Sequence, residues 1–410
     1  MLTNDDLSRI LRLSPKWCLG RIDCRHDVRE THLWIHAEPE ALMCPVCQAV
    51  CPIHDHANER VWRHLDLCNY RVFLHAAIPR VDCAKHGVRQ VDVSWADPRI
   101  SLTRAMEGQI LEVLRQTKTA IGAARVLGLS WDQVHGVMMR AVTRGLQRRQ
   151  EQPLRRVAVD EKAMLKGHDY VTVIYDLDRR TVIDVVEDRT TESLMGFWKS
   201  VKYHMREQIQ AVAMDMWKPY LTATIACIPG AADKIVHDRF HVAQHMGKAV
   251  DDTRIEEHRR LKNLGDTSLT GTKHWWLYGQ ENLPGKLIND LATLVATDLK
   301  TAQAWTVKEN LRHLWSMPTV EHARQFGLNW AQEAIATGLK PVITVANMVI
   351  NHIDQIANYA RHRITTGPAE GINSVIMAIK RAARGYRTWQ SFRTAILFFC
   401  GGLDLNPRAA

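Results

Sequence analysis

Two pairs of metal-ligating residues at matching spacing constrain the fold of the N-terminal region more than any other feature of the chain. Cys44 and Cys47 form the first pair, and Cys83 and His86 form the second, each with two residues between its members. Such pairs are typical of the two halves of a tetrahedral zinc site. Because a small β-rich module has little core of its own, the metal would stabilise its fold. The sequence predicts a structural Zn2+ bound by these four side chains.

The ligand set has an alternative. Further cysteines and histidines lie close to the two pairs, and the first two repeat their spacing: Cys51, His54, His56, His64 and Cys68. The other interpretation of these residues is that they are surface histidines and a buried thiol. The chain has nine cysteines, and its start lacks the apolar core of a signal peptide. We therefore expect a cytoplasmic protein in which the cysteines are thiols or metal ligands.

The apolar period changes along the first 156 residues. Residues 31–36 and 70–79 alternate as strands do, so we predict a β-rich zinc-binding module over residues 1–98. From residue 101 the period is helical, and Gly128 interrupts it before Ser130, a residue suited to cap a second helix. This pattern predicts a helix-turn-helix over residues 99–150, although a plain helical hairpin has the same pattern. The stretch from 144 to 156 is interpreted as a linker.

Net charge and hydropathy narrow the class of partner. The formal net charge is +10, which favours a polyanion, with nucleic acid ahead of a membrane surface. Residues 99–156 carry eleven arginines and lysines against four acids, so much of this excess lies in the helix-turn-helix segment. The most apolar stretch, residues 395–403, is far shorter than the ~20 residues that span a bilayer. We therefore predict no membrane partner.

Strands and helices alternate after residue 156, and two apolar runs lead directly into acids, Asp160 and Asp215. Residues 170–175 and 181–186 predict a hairpin between them, and residues from about 191 to 205 predict a helix. This order is typical of an α/β sheet with carboxylates at strand ends. Glu161 is not expected to be a ligand, because neighbouring strand residues point to opposite faces.

A third acid and a long helical region complete the pattern. Glu370 opens a predicted helix directly after the break at Gly367 and Pro368. Residues 242–363 show only helical periodicity and predict an all-helical insertion, in which we expect most tryptophans to pack in the core: Trp275, Trp276, Trp305, Trp315 and Trp330. Trp217 is expected to be a buried anchor of its helix rather than a base-stacking residue.

Carboxylates are the ligands that Mg2+ prefers, and two ions ~3.5–4 Å apart can activate a nucleophile and stabilise the leaving oxygen at a phosphodiester. For any one of the three acids, a structural role at a strand end or helix start is the commoner alternative. The residues alone therefore do not decide whether Asp160, Asp215 and Glu370 bind metal or have structural roles.

Several strings of the sequence, in order, closely resemble the ISL3 family of insertion-sequence transposases, a bacterial DDE group. The strings are Val159–Lys162, Ala213–Tyr220, Asp238–His241, Ala369–Asn373 and Ile379–Arg387. The resemblance extends over nearly the whole chain, from the cysteine-rich start to the ending Cys400–Asp404. One departure is His86, which stands where many relatives have a cysteine.

The resemblance implies a multidomain α+β protein. The implied regions are a zinc-binding module at 1–98, a helix-turn-helix at 99–150, an RNase H-like α/β catalytic core at 151–241 and 367–410, and an all-helical insertion at 242–366. Asp160, Asp215 and Glu370 match the family's three catalytic carboxylates and would hold two Mg2+ (or Mn2+) ions. Asp238 and His241 match an accessory motif that supports the active site or contacts DNA beside it.

The implied activity is that of a DNA endonuclease and strand transferase. It would bind the terminal inverted repeats of an insertion sequence, cleave the ends and join them to target DNA, working as a homodimer or larger oligomer in association with the nucleoid. We expect the DNA contacts to come from the helix-turn-helix and from the helix of Glu370, through Arg125, Ser130, Trp131, Gln133, Arg140, Arg144, Lys380, Arg381, Arg384 and Arg387.

Three other functions fit parts of this pattern. A non-catalytic DNA-binding regulator derived from a transposase would keep the zinc module and helix-turn-helix, yet all three acids are in place. A resolvase or RNA-strand nuclease would rarely need a long helical insertion and would cut without joining ends. A metabolic zinc enzyme would need an open metal position, whereas two pairs of ligands predict a closed structural site.

Overall fold

The computed structural model describes residues 4–11, 13–164 and 169–407, which fall into two units. The first unit comprises the described residues up to Arg149 together with those from Leu403 onward, and the second comprises Gln150–Gly402. Within the described residues, no helix is long and apolar enough to span a bilayer.

The first unit begins with a short helix and two small sheets. The elements are α1 (Asn4–Ile10), β1 (Trp17–Arg25), β2 (Glu30–Ala37), β3 (Ile53–His56), β4 (Arg60–Arg63), β5 (Arg71–Ala76), β6 (Pro79–Cys83) and β7 (Gly87–Gln90). One sheet has the order β1-β2-β5-β4 and the other β3-β6-β7. Their shared core contains Trp62, Leu74 and Val81, all fully buried. The predicted β-rich character of this region is confirmed.

Three helices follow, and each begins with a hydroxyl cap. They are α2 (Arg104–Thr117), α3 (Ala120–Leu127) and α4 (Trp131–Arg148). Ser130 accepts a hydrogen bond from the backbone of Gln133, whose side chain accepts one in return from the backbone of Ser130, so the predicted cap is confirmed as a capping box. Gly128 ends α3 at φ 61°, a left-handed conformation that glycine adopts at little cost.

The end of α4 differs from the expected linker. The helix continues to Arg148, because its last turns are fixed by the C-terminal segment of the chain. Arg144 Nη2 donates to the backbone oxygen of Leu405 at 3.0 Å, and Arg148 Nη1 donates to that of Asn406 at 2.7 Å. Residues 403–407, which the sequence analysis placed in the catalytic region, therefore belong to the first unit.

The second unit is built on a five-stranded mixed sheet with the order β10-β9-β8-β11-β12. Its strands are β8 (Arg156–Ala163), β9 (Tyr170–Asp176), β10 (Thr181–Glu187), β11 (Ala211–Met214) and β12 (Ile235–His237). β8, β9 and β10 are antiparallel neighbours, which confirms the predicted hairpin, whereas β8, β11 and β12 run parallel.

Helices cover this sheet. They are α5 (Thr191–Ser200), α6 (Tyr203–Glu207), α7 (Lys218–Cys227) and α8 (Ala231–Lys234), and after the helical region α17 (Gly367–Ala382) and α18 (Trp389–Cys400). Trp198 and Tyr220 pack with Val159, Ile174 and Met214 in the core on one face. On the other face, the Tyr175 hydroxyl donates to Asn373 Oδ1 of α17 at 2.5 Å.

Two helix boundaries differ from the prediction. The helix expected over 191–205 is divided at Val201, which is extended. The break expected at Gly367 and Pro368 is instead the first turn of α17. Proline is tolerated there because the first turn of a helix needs no hydrogen bond from its backbone nitrogens.

Between β12 and α17 the described residues form helices and turns, with α9 (Arg239–Asn263), α10 (Lys273–Leu277), α11 (Ile288–Val295), α12 (Lys300–Leu311), α13 (Val320–Ala336), α14 (Lys340–Asn351), α15 (Ile353–Ala357) and α16 (Tyr359–His362). Trp276, Trp305 and Trp330 are buried in their core, and Trp275 and Trp315 pack against it. Asn358 Nδ2 donates to the backbone oxygens of Ala232 and Ile235 at 2.8 and 2.9 Å, so these helices cover the edge of the sheet at β12.

Candidate active site and metal centre

The four predicted zinc ligands come together at one point of the first unit. The ligand atoms of Cys44, Cys47, Cys83 and His86 all lie within 4.8 Å of one another. Cys47 Sγ is 3.7 Å from Cys83 Sγ, and His86 Nδ1 is 3.5 Å from Cys44 Sγ and 3.6 Å from Cys83 Sγ. A tetrahedron with Zn–S of about 2.3 Å and Zn–N of about 2.0–2.1 Å has edges of about 3.8 Å between sulfurs and about 3.6 Å between sulfur and nitrogen. The site therefore fits Zn2+ with no open position.

Two tight turns produce this arrangement. The residue after each pair has a left-handed backbone, with φ 59° at Gln48 and φ 64° at Gly87. The turns also direct backbone N–H groups at the sulfurs. A hydrogen bond from the backbone of Lys85 lowers the pKa of Cys83 to about 7, and one from Cys47 lowers the pKa of Cys44. The thiolate, the form that binds metal, is thereby favoured.

The neighbouring cysteines and histidines lie outside this group. Cys51 is buried, and its Sγ is 3.3 Å from the backbone oxygen of Ala49. His54 is exposed on β3. His64 is buried and its Nδ1 is 2.9 Å from Thr103 Oγ1. Cys68 lines a separate apolar cavity. Cys51 is thus a buried thiol and His54 a surface histidine, as in the alternative interpretation, whereas Cys68 is an exposed thiol and His64 a buried histidine.

In the second unit, Asp160 and Asp215 stand at matching positions of neighbouring parallel strands. Val159 of β8 pairs with Met214 of β11. Asp160 follows Val159 in the sequence, and Asp215 follows Met214. Because Val159 and Met214 both face the core formed with α5 and α7, the acids that follow them point to the opposite face. Neighbouring strands are about 4.8 Å apart, and both carboxylates are partly exposed, at 18% and 30%. Two such oxygen donors fit a Mg2+ site.

Helix α17 brings the third acid to the same face. Asn373 Nδ2 donates to Asp160 Oδ2 at 2.9 Å, and Lys380 Nζ donates to the backbone oxygen of Ala163 at 2.5 Å. Glu370 is exposed and lies three residues before Asn373, so both share one side of the helix, about one turn apart. The helix that contacts Asp160 therefore also carries Glu370.

The carboxylates of Asp160, Asp215 and Glu370 do not form a single tight cluster. Within the described residues, the zinc-type group is the one set of three or more Cys, His, Asp or Glu ligand atoms within 4.8 Å of one another. A site for two ions ~3.5–4 Å apart needs no such cluster, because acids that bind different ions stand further apart. Asp160 Oδ2 also accepts a hydrogen bond from Lys162 Nζ at 2.5 Å.

Asp238 and His241 occupy different positions around these acids. His241 Nδ1 is 3.8 Å from Asp215 Oδ1. Asp238 is only 2% exposed and caps α9 by accepting a hydrogen bond from the backbone of Phe240 at 3.0 Å. Its other oxygen accepts hydrogen bonds from the backbone and hydroxyl of Thr366, the residue before α17. Asp238 thus fixes the start of the helix that carries Glu370.

Two neighbours of the acids can be compared with their predictions. Glu161 pairs in register with Thr172, whose hydroxyl is hydrogen-bonded to Tyr220, so Glu161 faces away from Asp160 as predicted. Burial raises the pKa of Glu161, and the charges of Asp160 and then Asp215 raise it further. The prediction that Trp217 is buried is wrong, because this residue is 38% exposed. Its indole nitrogen instead donates to the backbone oxygen of Arg189 at 3.0 Å.

The residues predicted to contact DNA in the helix-turn-helix fall into two groups. Arg125 is exposed, and Trp131 is 48% exposed and stacks on His135 at 4.4 Å between ring centroids. Ser130 and Gln133 form the capping box described above. By contrast, Arg140 donates to the carboxylate of the buried Glu107, and Arg144 Nη1 lies 3.7 Å from the same carboxylate. The last two arginines therefore have structural partners.

On α17 and beyond it, the basic residues also differ. Lys380 is hydrogen-bonded to β8, as described above, whereas the other three predicted contacts are exposed: Arg381, Arg384 and Arg387. Sequence reasoning did not single out Asn373, although it lies in a quoted string and three residues from Glu370. Its spacing of three residues from Glu370 in a predicted helix was the signal that could have identified Asn373.

Three segments of the chain match known families. Residues 157–396 match a family described as a transposase, residues 41–86 match the zinc-finger of the transposases IS204, IS1001, IS1096 and IS1165, and residues 91–142 match the helix-turn-helix domain of transposase family ISL3. The zinc-finger match ends at His86, the last of the four clustered ligands.

Two curated relatives span most of the chain. The transposase for insertion sequence element IS1001 of Bordetella parapertussis is 28% identical over 379 residues, which cover 91% of this chain and 92% of that protein. The transposase for insertion sequence element IS1557 of Mycobacterium tuberculosis is 25% identical over 363 residues, 82% of this chain and 80% of that protein. With its largest match covering residues 157–396, this chain belongs to the ISL3 family of transposases.

Proposed function

We propose that this chain binds the ends of an insertion sequence, cleaves them and joins them to target DNA, with Asp160, Asp215 and Glu370 as its catalytic carboxylates. The observation that carries the proposal is the meeting of three elements at one sheet edge. Asp160 and Asp215 follow the paired residues Val159 and Met214 of the neighbouring strands β8 and β11, and α17 contacts Asp160 one turn from Glu370. This arrangement supports an RNase H-like core with an all-helical insertion between the second and third acids.

Each carboxylate has a role in this proposal. Asp160 stands beside Asp215 on the neighbouring strand and is also contacted by α17. It would therefore be shared by two Mg2+ (or Mn2+) ions, while Asp215 and Glu370 would each hold one. When bound, the ions supply activation of the attacking water or 3′-hydroxyl and stabilisation of the leaving oxygen. Lys162 and Asn373 hold the Asp160 carboxylate in place through its Oδ2. No covalent bond between protein and DNA is required.

The first unit would recognise the ends. The exposed start of α4, with Trp131 and His135 stacked on it, has the form of a helix that enters a major groove. Arg125, in the helix before the turn, would contact phosphate. The zinc centre fixes the two turns of the zinc-binding module, at Gln48 and Gly87, and takes no part in the reaction. Because two ends must be held together for joining, we propose at least a homodimer on DNA.

The Asp215→Asn variant tests the catalytic assignment. It keeps the size of the side chain and removes its charge, so we expect unchanged affinity for terminal-repeat DNA and a loss of Mg2+-dependent nicking of at least about 10²-fold. The matched control is Asp233→Asn, because the Asp233 side chain is 76% exposed and pairs with Arg361 at the surface. Nicking by the Asp215→Asn variant at the wild-type rate would contradict the proposal, and the chain would then be a DNA-binding regulator.

A further inference from the structure

The Arg189 guanidinium lies over two aromatic rings near the C-terminal ends of β8 and β11. Its guanidinium carbon lies 4.1 Å from the ring centroid of Tyr170 and 4.7 Å from that of Trp217. The hydrogen bond from the Trp217 indole to the backbone oxygen of Arg189 fixes the position of the arginine backbone as well. The arginine is therefore oriented before any ligand arrives.

The position of this stack relates it to the acids. Tyr170 is the first residue of β9 and pairs with Ala163 at the end of β8. Asp188, just before Arg189, forms a bridge with Val171. Trp217 follows Asp215 by two residues. All three members of the stack therefore lie near the C-terminal ends of β8 and β11, on the face of the sheet to which Glu161 points and opposite the face of Asp160.

The guanidinium keeps its hydrogen-bonding edge available. Glu161 Oε1 is 3.9 Å from Arg189 Nη1, which is longer than a hydrogen bond, and the Arg189 side chain is 32% exposed. Other arginines of the second unit, such as Arg179 and Arg312, donate directly to carboxylates. The Arg189 guanidinium lies over the rings of Tyr170 and Trp217, and its N–H groups are the donors that can bind phosphate oxygens in pairs.

We propose that Arg189 binds a backbone phosphate of the DNA strand that Asp160 and Asp215 process, with Tyr170 and Trp217 as its aromatic support. This inference rests on the proposed function, because it assigns DNA as the substrate at this edge. Arg189 is a positioning residue in this scheme. It sets the register of the strand next to the acids and contacts no base, so its contribution is independent of sequence.

The test measures binding separately from cleavage. In the Asp215→Asn background, the affinity for a duplex with one terminal repeat is measured between about 50 and 200 mM salt. Removing one phosphate contact reduces the slope of log affinity against log salt by about 0.9, so we expect this change for Arg189→Gln. Arg189→Lys keeps the charge and should restore the slope. In the otherwise wild-type protein, Arg189→Gln should raise KM for nicking more than it lowers kcat.

The matched control is Arg180→Gln. Arg180 is exposed in the turn at the opposite end of the β9–β10 hairpin, and the length of β10, about 20 Å at the rise of a strand, lies between it and Arg189. It should leave the slope unchanged. An unchanged slope for Arg189→Gln, or an equal change for Arg180→Gln, overturns the proposal. If the Asp215→Asn variant still nicks DNA, the catalytic assignment fails, whereas the salt slope continues to report on Arg189.

Discussion

Replacing Asp238 by alanine should displace Glu370, the third of the proposed catalytic acids, relative to the sheet. Asp238 is 2% exposed and accepts hydrogen bonds from Phe240 and, through its other oxygen, from Thr366. The backbone oxygen of Thr366 in turn accepts a hydrogen bond from the backbone nitrogen of Glu370 at 3.1 Å. The carboxylate of Asp238 thus controls where α17 begins, and with it the position of Glu370.

The expected magnitudes follow from these contacts. Loss of the helix cap on α9 costs about 1 kcal/mol, and each hydrogen bond to a buried charge is worth about 1.5–3 kcal/mol. With the cap and the single hydrogen bond from the Thr366 hydroxyl counted, the free energy of unfolding of Asp238→Ala should fall by about 2.5–4 kcal/mol. Because a shift of about 1 Å in a catalytic group can reduce the rate about 10²-fold, Mg2+-dependent nicking should fall by a similar factor at a temperature where the variant is folded.

A double-mutant cycle with Thr366→Val separates positioning from direct catalysis. If Asp238 acts through Thr366, both single variants lose nicking and the double variant loses little more, with a coupling energy of at least about 1 kcal/mol. Urea unfolding and a nicking assay on terminal-repeat DNA supply the two measurements. Losses in rate that add independently, or an Asp238→Ala variant that is destabilised yet nicks at the wild-type rate, would refute the positioning role.

Three further predictions concern the first unit. Cys47→Ser should abolish tight binding of one Zn2+ per chain and unfold the ribbon, as seen by metal analysis and circular dichroism; retention of the metal would exclude Cys47 as a ligand. Burial lowers the pKa of His64 from 6.5 to about 4, so the neutral form stabilises the fold and the free energy of unfolding falls as the pH decreases through that range. Between pH 7 and 5, the His64→Gln variant should lose about 2 kcal/mol less of its free energy of unfolding than the wild type, as measured by urea unfolding. Equal losses would contradict this prediction. Arg140→Ala leaves the Glu107 carboxylate buried without its main partner and should lower the free energy of unfolding by about 3 kcal/mol. Arg125→Ala should leave stability unchanged and reduce the slope of log DNA affinity against log salt by about 0.9. The reverse result would exchange the roles of the two arginines.

The local sequence accounts for much of what the structure shows. The zinc ligands could be predicted because each pair is a short turn whose spacing alone brings two ligands together. The cap at Ser130 and the hairpin of β9 and β10 were equally predictable, since hydrogen bonds between near neighbours determine both. The end of α4 was not, because the contacts that extend it come from residues about 260 positions later, Leu405 and Asn406.

The surroundings of the acids show the same division. That Asp160 and Asp215 follow buried apolar runs was visible in the sequence, but β8 continues past Asp160 to Ala163, and the pairing of the two strands depends on the order β8-β11, which no local pattern encodes. The exposure of Trp217 and its stacking on Arg189 also result from the meeting of distant segments.

The sequence by itself determined the types of element, the zinc turns and, through its resemblance, the family. Tertiary structure decided which arginines are exposed and which pair with carboxylates inside the fold. It also decided that Asp238 is hydrogen-bonded to the start of the helix that carries Glu370. The physical reason is that a side chain's role depends on its partners. Glu107 and Arg140, or Asp238 and Thr366, are brought together only by the packing of the whole unit.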